Sequence, residues 1–210
     1  MISGFKVFYR NVFQQLKTTG SIAPSSRALA EAMIRMVVPK KNPLAVLEAG
    51  PGTGPFTLPL IQKLGQEDRL DLCELNPEFV TYLKQVLQAD PTYLSRRETV
   101  ILHQQAVQNM EGENKYDYIV SSLPFNNFEP DLVQTILDSY MRMIKPGGLL
   151  SFFEYAYCRD VKGLLAGVEE KDRMRQVGEM IQAFVERHAV HQELVMGNLP
   201  PARVYVNQLK

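Results

Sequence analysis

This 210-residue sequence predicts an α/β domain: a doubly wound, mostly parallel seven-stranded sheet with an antiparallel C-terminal hairpin. Three observations predict it. Strand-like and helix-like runs alternate, which calls for a parallel sheet covered on both faces. The first strand-like run ends in Gly50-Pro51-Gly52-Thr53-Gly54, a turn that in open parallel sheets lies where ligands bind. The last two strand-like runs are joined by Gly197-Asn198-Leu199-Pro200-Pro201, too short for a crossover helix, so they pair antiparallel.

The elements follow in order. Leu44–Glu48 is a short apolar run, and Phe56–Leu64 reads as the helix after its Gly-rich turn. Arg69–Leu75 is the second strand. Asn76-Pro77 is a helix start signal, and Phe79, Val80, Leu83, Val86 and Leu87 follow at helical spacing. Val100–Leu102 and Tyr116–Val120 are the third and fourth strands. Leu132, Val133, Ile136, Leu137, Tyr140 and Ile144 form the apolar face of the next helix, which Pro146-Gly147-Gly148 is expected to stop before a fifth strand, Leu149–Tyr155. A helix carrying Met174, Val177, Ile181 and Phe184 leads into the hairpin strands, His188–Met196 and Ala202–Leu209.

Composition narrows the function classes. The 23 Lys and Arg balance 23 Asp and Glu, which excludes a strongly basic nucleic-acid coat and an acidic disordered chain. That balance is a cancellation. Residues 1–30 hold Lys6, Arg10, Lys17 and Arg27 and no acid, so the remainder carries 19 basic and 23 acidic residues. Cys73 and Cys158 have no metal-ligand spacing and read as ordinary buried thiols in a reducing compartment. His103, His188 and His191 form no triad or metal pattern, so no metal is expected. No secretory pattern and no run of ~18 apolar residues is present, so nothing is expected to span a bilayer.

The turn after the first strand carries the chemistry. Glu48 precedes glycines at the alternate positions 50, 52 and 54, and Glu74 ends the second strand 20 residues past Gly54. Glycines let a ligand approach the backbone, and an acid at that place accepts both ribose hydroxyls of a nucleoside. A dinucleotide fingerprint wants its third glycine three positions after the second, where this chain has Pro55. The alternate spacing suits a cofactor without a phosphate. On these residues the chain resembles the class I S-adenosylmethionine-dependent methyltransferases over roughly residues 44–208. The resemblance implies that Glu48, Gly50, Gly52 and Gly54 hold the methionine part of S-adenosylmethionine, and later S-adenosylhomocysteine. It implies further that Glu74 and Leu75 flank the ribose and that Gln105 and Ala106 stand at the adenine. The family usually has Asp in the place of Gln105, whose side-chain carbonyl can still accept the adenine N–H.

After the fourth strand comes Ser121-Ser122-Leu123-Pro124-Phe125-Asn126-Asn127-Phe128. Amine methyltransferases often carry Asn or Asp, an apolar residue, Pro and an aromatic there; Ser122 stands in the place of the amide or acid. With Gly20-Ser21-Ile22-Ala23-Pro24-Ser25-Ser26-Arg27 and Asn198-Leu199-Pro200-Pro201-Ala202-Arg203-Val204-Tyr205, this turn makes the chain look like the bacterial phospholipid N-methyltransferases. That resemblance implies methylation of phosphatidylethanolamine toward phosphatidylcholine, or of ornithine lipid. It places Ser122, Leu123, Pro124 and Tyr155 at the reacting centre, with Ser122 also beside the cofactor. Candidates for the headgroup are Ser25, Ser26, Tyr155, Tyr157, Asn198 and Arg203: the tyrosines to meet the ammonium and its methyls by cation–π attraction, Arg203 to pair with the phosphate. The competing readings are helix capping for the serines and surface packing for Tyr157 and Arg203.

The N-terminal segment fits a membrane partner. Phe5, Phe8, Tyr9, Val12, Phe13 and Leu16 fall within roughly 140° of a helical wheel, with Lys6, Arg10 and Lys17 opposite. A basic amphipathic helix with bulky aromatics can lie in an anionic interface, each Lys or Arg adding on the order of 1 kcal/mol; the alternative is a helix that packs its aromatic face on the domain. The expected organisation is a membrane and substrate cap over residues 1–38 and a cofactor-binding domain over 39–210, working at the cytoplasmic face of the membrane. The rival readings are an rRNA adenine dimethyltransferase, a small-molecule amine methyltransferase, and a non-catalytic membrane-associated module that keeps the cofactor fold. The RNA reading needs clustered Lys and Arg, and here the body offers only Lys40-Lys41 and Arg96-Arg97.

Overall fold

A computed structural model describes residues 25–156 and 168–209, the side chain of residue 168 excepted. The expected membrane residues Phe5, Lys6, Phe8, Tyr9, Arg10, Val12, Phe13, Leu16 and Lys17 lie outside the described residues, as do Tyr157 and Cys158. The expected division at residues 38 and 39 therefore rests on the sequence alone.

The strands are β1 (Ala45–Ala49), β2 (Arg69–Cys73), β3 (Val100–His103), β4 (Tyr116–Ser121), β5 (Ile144–Tyr155), β6 (Ala189–Val195) and β7 (Ala202–Leu209). They form one sheet in the order β3-β2-β1-β4-β5-β7-β6. β1 to β5 pair in parallel, and β7 runs antiparallel to both β5 and β6. β1 lies between β2 and β4, so the chain leaves it to one side and returns on the other. That switch point opens a crevice beyond the carboxyl ends of the strands.

The helices are α1 (Arg27–Ile34), α2 (Thr57–Lys63), α3 (Pro77–Gln88), α4 (Pro91–Leu94), α5 (Pro130–Met143) and α6 (Val168–His188). Three of them, α1, α3 and α4, begin on a side-chain cap. Asn76 accepts the Glu78 N–H at 2.8 Å with Pro77 at the first helical position, and Asp90 accepts from Tyr93 at 2.9 Å. Two cores follow, one on each face. Leu29, Met33, Phe56, Leu60 and Leu83 cover the first; Val133, Ile136, Tyr140, Val177 and Ile181 cover the second.

Three details correct the sequence reading. Pro146-Gly147-Gly148 does not separate helix from strand: α5 ends at Met143, and β5 starts at Ile144, opposite Tyr116. The ladder then jumps to Tyr118 opposite Leu149, so the Pro-Gly-Gly stretch is a bulge inside a long strand, with Gly147 at φ +74°. The second strand ends at Cys73, and the short helix α4 was not expected.

Arg96 is buried, and its guanidinium donates to the carbonyls of Ile61 (2.6 Å), Leu64 (2.6 Å), Asp68 (3.3 Å) and Gly65. It satisfies the orphan carbonyls at the end of α2 and is withdrawn from any phosphate track. Between β3 and β4 stands only a 3₁₀ turn, Val107–Asn109, where other crossovers carry a helix. Asp71, whose strand neighbours Leu70 and Leu72 belong to the first core, projects from that barely covered face. It accepts hydrogen bonds from Arg69 and Tyr116 and pairs with His103 and Lys115. Burial alone would raise its pKa, but these partners hold it down at about 2. His103 thus has a structural partner, and Cys73 is a buried free thiol whose pKa burial pushes up to about 12.

Candidate active site

The loop after β1 gets its shape from its glycines. Gly50, Gly52 and Gly54 take φ values of +73°, +57° and +86°, a region that residues with a Cβ rarely enter. Gly50 N–H bonds the Cys73 carbonyl at 2.9 Å, which ties the loop to the end of β2. A Cβ on Gly50 would lie 2.7 Å from Leu123 Cδ2, so the cofactor loop and the turn after β4 meet closely there and any larger residue would displace that side chain. A Cβ on Gly52 would meet nothing nearer than 4.0 Å, which leaves open space above the loop.

Glu74 closes the other side. It is almost wholly buried; its carboxylate accepts the N–H of Gly52 at 3.0 Å and of Asn76 at 2.8 Å. Burial raises its pKa while the backbone N–H groups of Asn76, Gly52 and Leu75 oppose the rise. Each carboxylate oxygen keeps a further lone pair for a hydroxyl. Between loop and carboxylate lies a pocket lined by Gly50, Glu74, Leu75, Gln105, Ala106 and Leu123, along with Cys73, Val107, Gln108 and Ile136. The structure therefore brings Gly50 together with the expected ribose residues Glu74 and Leu75 and the expected adenine residues Gln105 and Ala106; Gly52, Gly54 and Ser122 stand outside this lining. Gln105 Nε2 donates to Met110 Sδ at 2.7 Å, which leaves the amide carbonyl to accept an adenine N–H. A glycine cradle open above Gly52, a buried carboxylate and a side-chain carbonyl fit a nucleoside carrying an amino-acid tail.

Glu48 stands apart. It is fully buried beneath the loop and outside the lining of that pocket, and neither carboxyl oxygen has a hydrogen-bond partner among the described residues. Burial pushes its pKa up to about 8; the Thr57 hydroxyl opposes this without reaching hydrogen-bond geometry, and the negative charge of Glu74 adds to it. At neutral pH Glu48 is thus an uncharged acid in the ligand-free protein. A raised carboxyl pKa contributes stability that is complete below its ordinary value of 4.5 and is lost as pH rises through about 8. Thermal melts of ligand-free Glu48→Gln should accordingly depend less on pH across that window than those of the wild type, with the variant the more stable at its upper end. Equal slopes would contradict the assignment.

The turn after β4 is held from three sides. Ser122 N–H bonds the Ala49 carbonyl at 2.9 Å, and Ser121 Oγ accepts from the Tyr140 hydroxyl at 2.9 Å. Arg173, on α6, donates to the carbonyls of Asn126 at 3.1 Å and Phe128 at 2.9 Å and so pins the 3₁₀ turn Phe125–Asn127. Sequence reasoning missed Arg173, because nothing in a helix rich in charged residues marks one arginine as turned inward. Within the turn, Ser122 Oγ and Asn126 Oδ1 are buried with no partner among the described residues. Leu123 and Pro124 follow Ser122 at the carboxyl end of β4, beside the pocket.

The expected headgroup residues fall on two faces. Tyr155, at the end of β5, packs with Phe153 and Phe56 on the α1 side. On that side Ser26 caps α1 by accepting the Leu29 N–H at 3.1 Å; its own N–H bonds Asn198 Oδ1 at 2.8 Å, and Ser25 stands next to it. Asn198 is buried and also donates to the Pro200 carbonyl at 2.8 Å, so these polar groups join α1 to the β6–β7 hairpin. Arg203 is exposed on the opposite face, opposite Glu154 in the β5–β7 ladder. There it helps line a groove of about 500 Å³ with Gln182, Glu186 and Tyr205.

The strand order, with its switch point at β1 and its antiparallel final pair, is the fold of the class I S-adenosylmethionine-dependent methyltransferases. Comparison with known proteins agrees: residues 46–148 match the family described as methyltransferase domain. The chain is 27% identical over 153 residues to the ornithine lipid N-methyltransferase of Singulisphaera acidiphila, covering 69% of this chain and 74% of that one. It is 29% identical over 155 residues to the tRNA N(3)-methylcytidine methyltransferase Mettl2 of Drosophila melanogaster, covering 69% of this chain and 46% of that one. Among solved structures, the N-methyltransferase NodS of Bradyrhizobium japonicum, in complex with S-adenosylhomocysteine, superposes with a TM-score of 0.60 at 17% identity, covering 88% of each chain. The protein is an S-adenosylmethionine-dependent methyltransferase.

Proposed function

We propose that the protein methylates the amine of a membrane amino-lipid, phosphatidylethanolamine and its partly methylated forms or ornithine lipid, at the cytoplasmic face of the membrane. The observation that carries this reading is the likeness to an ornithine lipid N-methyltransferase over most of both chains, against less than half of the tRNA enzyme. The basic, aromatic residues 1–30 support it, since they suit an anionic interface. The withdrawal of Arg96 into the core also removes a candidate RNA contact.

When bound, S-adenosylmethionine supplies a methyl on a sulfonium, already a good leaving group. What remains for this chain is proximity and orientation, which can lower a barrier by roughly 7–11 kcal/mol. Gly50, Gly52, Gly54 and Glu74 would hold the cofactor in the pocket. Ser122 Oγ, buried and unpartnered among the described residues, would accept a hydrogen bond from the incoming amine, and Leu123 and Pro124 would exclude water around it. A lipid ammonium must lose a proton before attack, either to water or to a nearby base.

The test is incubation with methyl-labelled S-adenosylmethionine and separate vesicles of phosphatidylethanolamine, its monomethyl and dimethyl forms, and ornithine lipid, beside free ethanolamine and ornithine. Label in at least one lipid product is expected. Label confined to the water-soluble amines would replace this reading with that of a small-molecule methyltransferase.

A further inference from the structure

Resting on the lipid reading above, we infer that the tip of the β6–β7 hairpin is a second membrane contact, a rigid apolar wedge formed by Met196 and Leu199. Among the described residues these are the two most exposed large apolar side chains, at 68% and 83%. They flank Asn198, which is turned the other way: it is buried, with its side chain committed to Ser26 N–H and the Pro200 carbonyl. A Cβ on Gly197 would stand 3.3 Å from Ala28 Cβ, so the tip is seated on the first turn of α1. Pro200 and Pro201 stiffen its return. Two large apolar groups held rigidly in water gain by entering lipid and have little conformational freedom left to lose on doing so.

The place of the wedge argues for what covers it. β7 starts at Ala202, opposite Tyr155 at the end of β5, so the tip stands beyond the carboxyl ends of the parallel strands. That is the end that carries the glycine loop after β1 and the Ser122–Pro124 turn after β4. The 24 residues ahead of Ser25, with Lys6, Arg10, Lys17 and the aromatic run, join the fold at this same corner, where Ser26 is bonded to Asn198. The segment from Gly197 to Ala202 carries no charge, and exposed Arg203 follows it, a pattern that suits an apolar wedge under an anionic headgroup layer. One occupant fits all of this: the interfacial layer of a bilayer containing anionic lipid. A wedge here would set the open end of the sheet against the headgroups.

The sequence has no tryptophan, so Leu199→Trp in the full-length protein is a unique reporter. Mixed with vesicles of equimolar phosphatidylethanolamine and phosphatidylglycerol, it should shift its emission to the blue and be quenched by lipids brominated in the acyl chains. Met196→Ser/Leu199→Ser should reduce partitioning into these vesicles roughly 10-fold or more. The double variant should keep its melting temperature, its affinity for S-adenosylhomocysteine and its rate on a short-chain amino-lipid dispersed in detergent. Unshifted emission in protein that sediments with the vesicles would overturn the wedge. So would wild-type protein that does not sediment, and a blue shift that follows protein concentration without lipid would assign the tip to self-association instead. Label transfer to detergent-dispersed lipid separates these outcomes from failure of the lipid reading itself, which would show as no lipid product in any form.

Discussion

Glu74→Ala is expected to weaken binding of S-adenosylmethionine and S-adenosylhomocysteine by roughly 1.5–3 kcal/mol, a Kd some ~10- to 150-fold higher. Loss of a charge-assisted hydrogen bond to the ribose accounts for the lower end, and the structure adds a reason for the upper end. The same carboxylate accepts the N–H groups of Gly52 and Asn76, so its removal also frees the glycine loop and uncaps the approach to α3. Glu74→Gln keeps one acceptor oxygen and should fall between wild type and Ala. Titration calorimetry with S-adenosylhomocysteine reads both, and an unaltered affinity in Glu74→Ala would move the ribose site elsewhere.

Gly50→Ala is expected to cost about as much in stability. A Cβ at φ +73° carries a penalty of roughly 1–2 kcal/mol, and its 2.7 Å approach to Leu123 Cδ2 adds the smaller cost, about 1 kcal/mol, of turning that side chain aside. For a chain of this size each kcal/mol lowers the melting temperature by roughly 2–4 °C. The displaced side chain belongs to the turn that would meet the amine, so methyl transfer should fall further than cofactor affinity. Gly52→Ala is the control, because its Cβ meets nothing nearer than 4.0 Å: it should retain more stability and yet lose affinity, by filling the cradle. Equal melting temperatures for the two variants would show that the Gly50–Leu123 contact does not join the two loops.

Much of this was legible in the sequence because the signals are local. The alternation of runs, the Asn76-Pro77 start and the short link at Gly197–Pro201 each report a constraint within a few residues, and the seven strands, the helix after Pro77 and the hairpin formed in the expected order. The spacing from the glycines to Glu74 was legible for the same reason, since strand length and turn length fix it. What the sequence hid depends on tertiary placement. Pro146-Gly147-Gly148 has the composition of a helix stop and of a bulge alike, and only pairing of Ile144 with Tyr116 decides between them. Tyr155 and Arg203 looked like partners at one headgroup, but they project to opposite faces of the sheet, because β7 pairs Glu154 with Arg203 and Tyr155 with Ala202. Glu48 carries the motif's acid, but the strand's alternation turns it beneath the loop, where burial keeps it protonated. The inward turn of Arg173 could not be read from spacing at all.

A lipid amine as the proposed acceptor is most sharply contrasted with RNA, given the likeness to a tRNA methyltransferase. Full-length protein should be given methyl-labelled S-adenosylmethionine in one mixture holding both amino-lipid vesicles and total tRNA and rRNA, and the organic and aqueous phases then separated. Label is expected in the lipid phase as methylated headgroup. Label in the RNA, with none in the lipid, would contradict it.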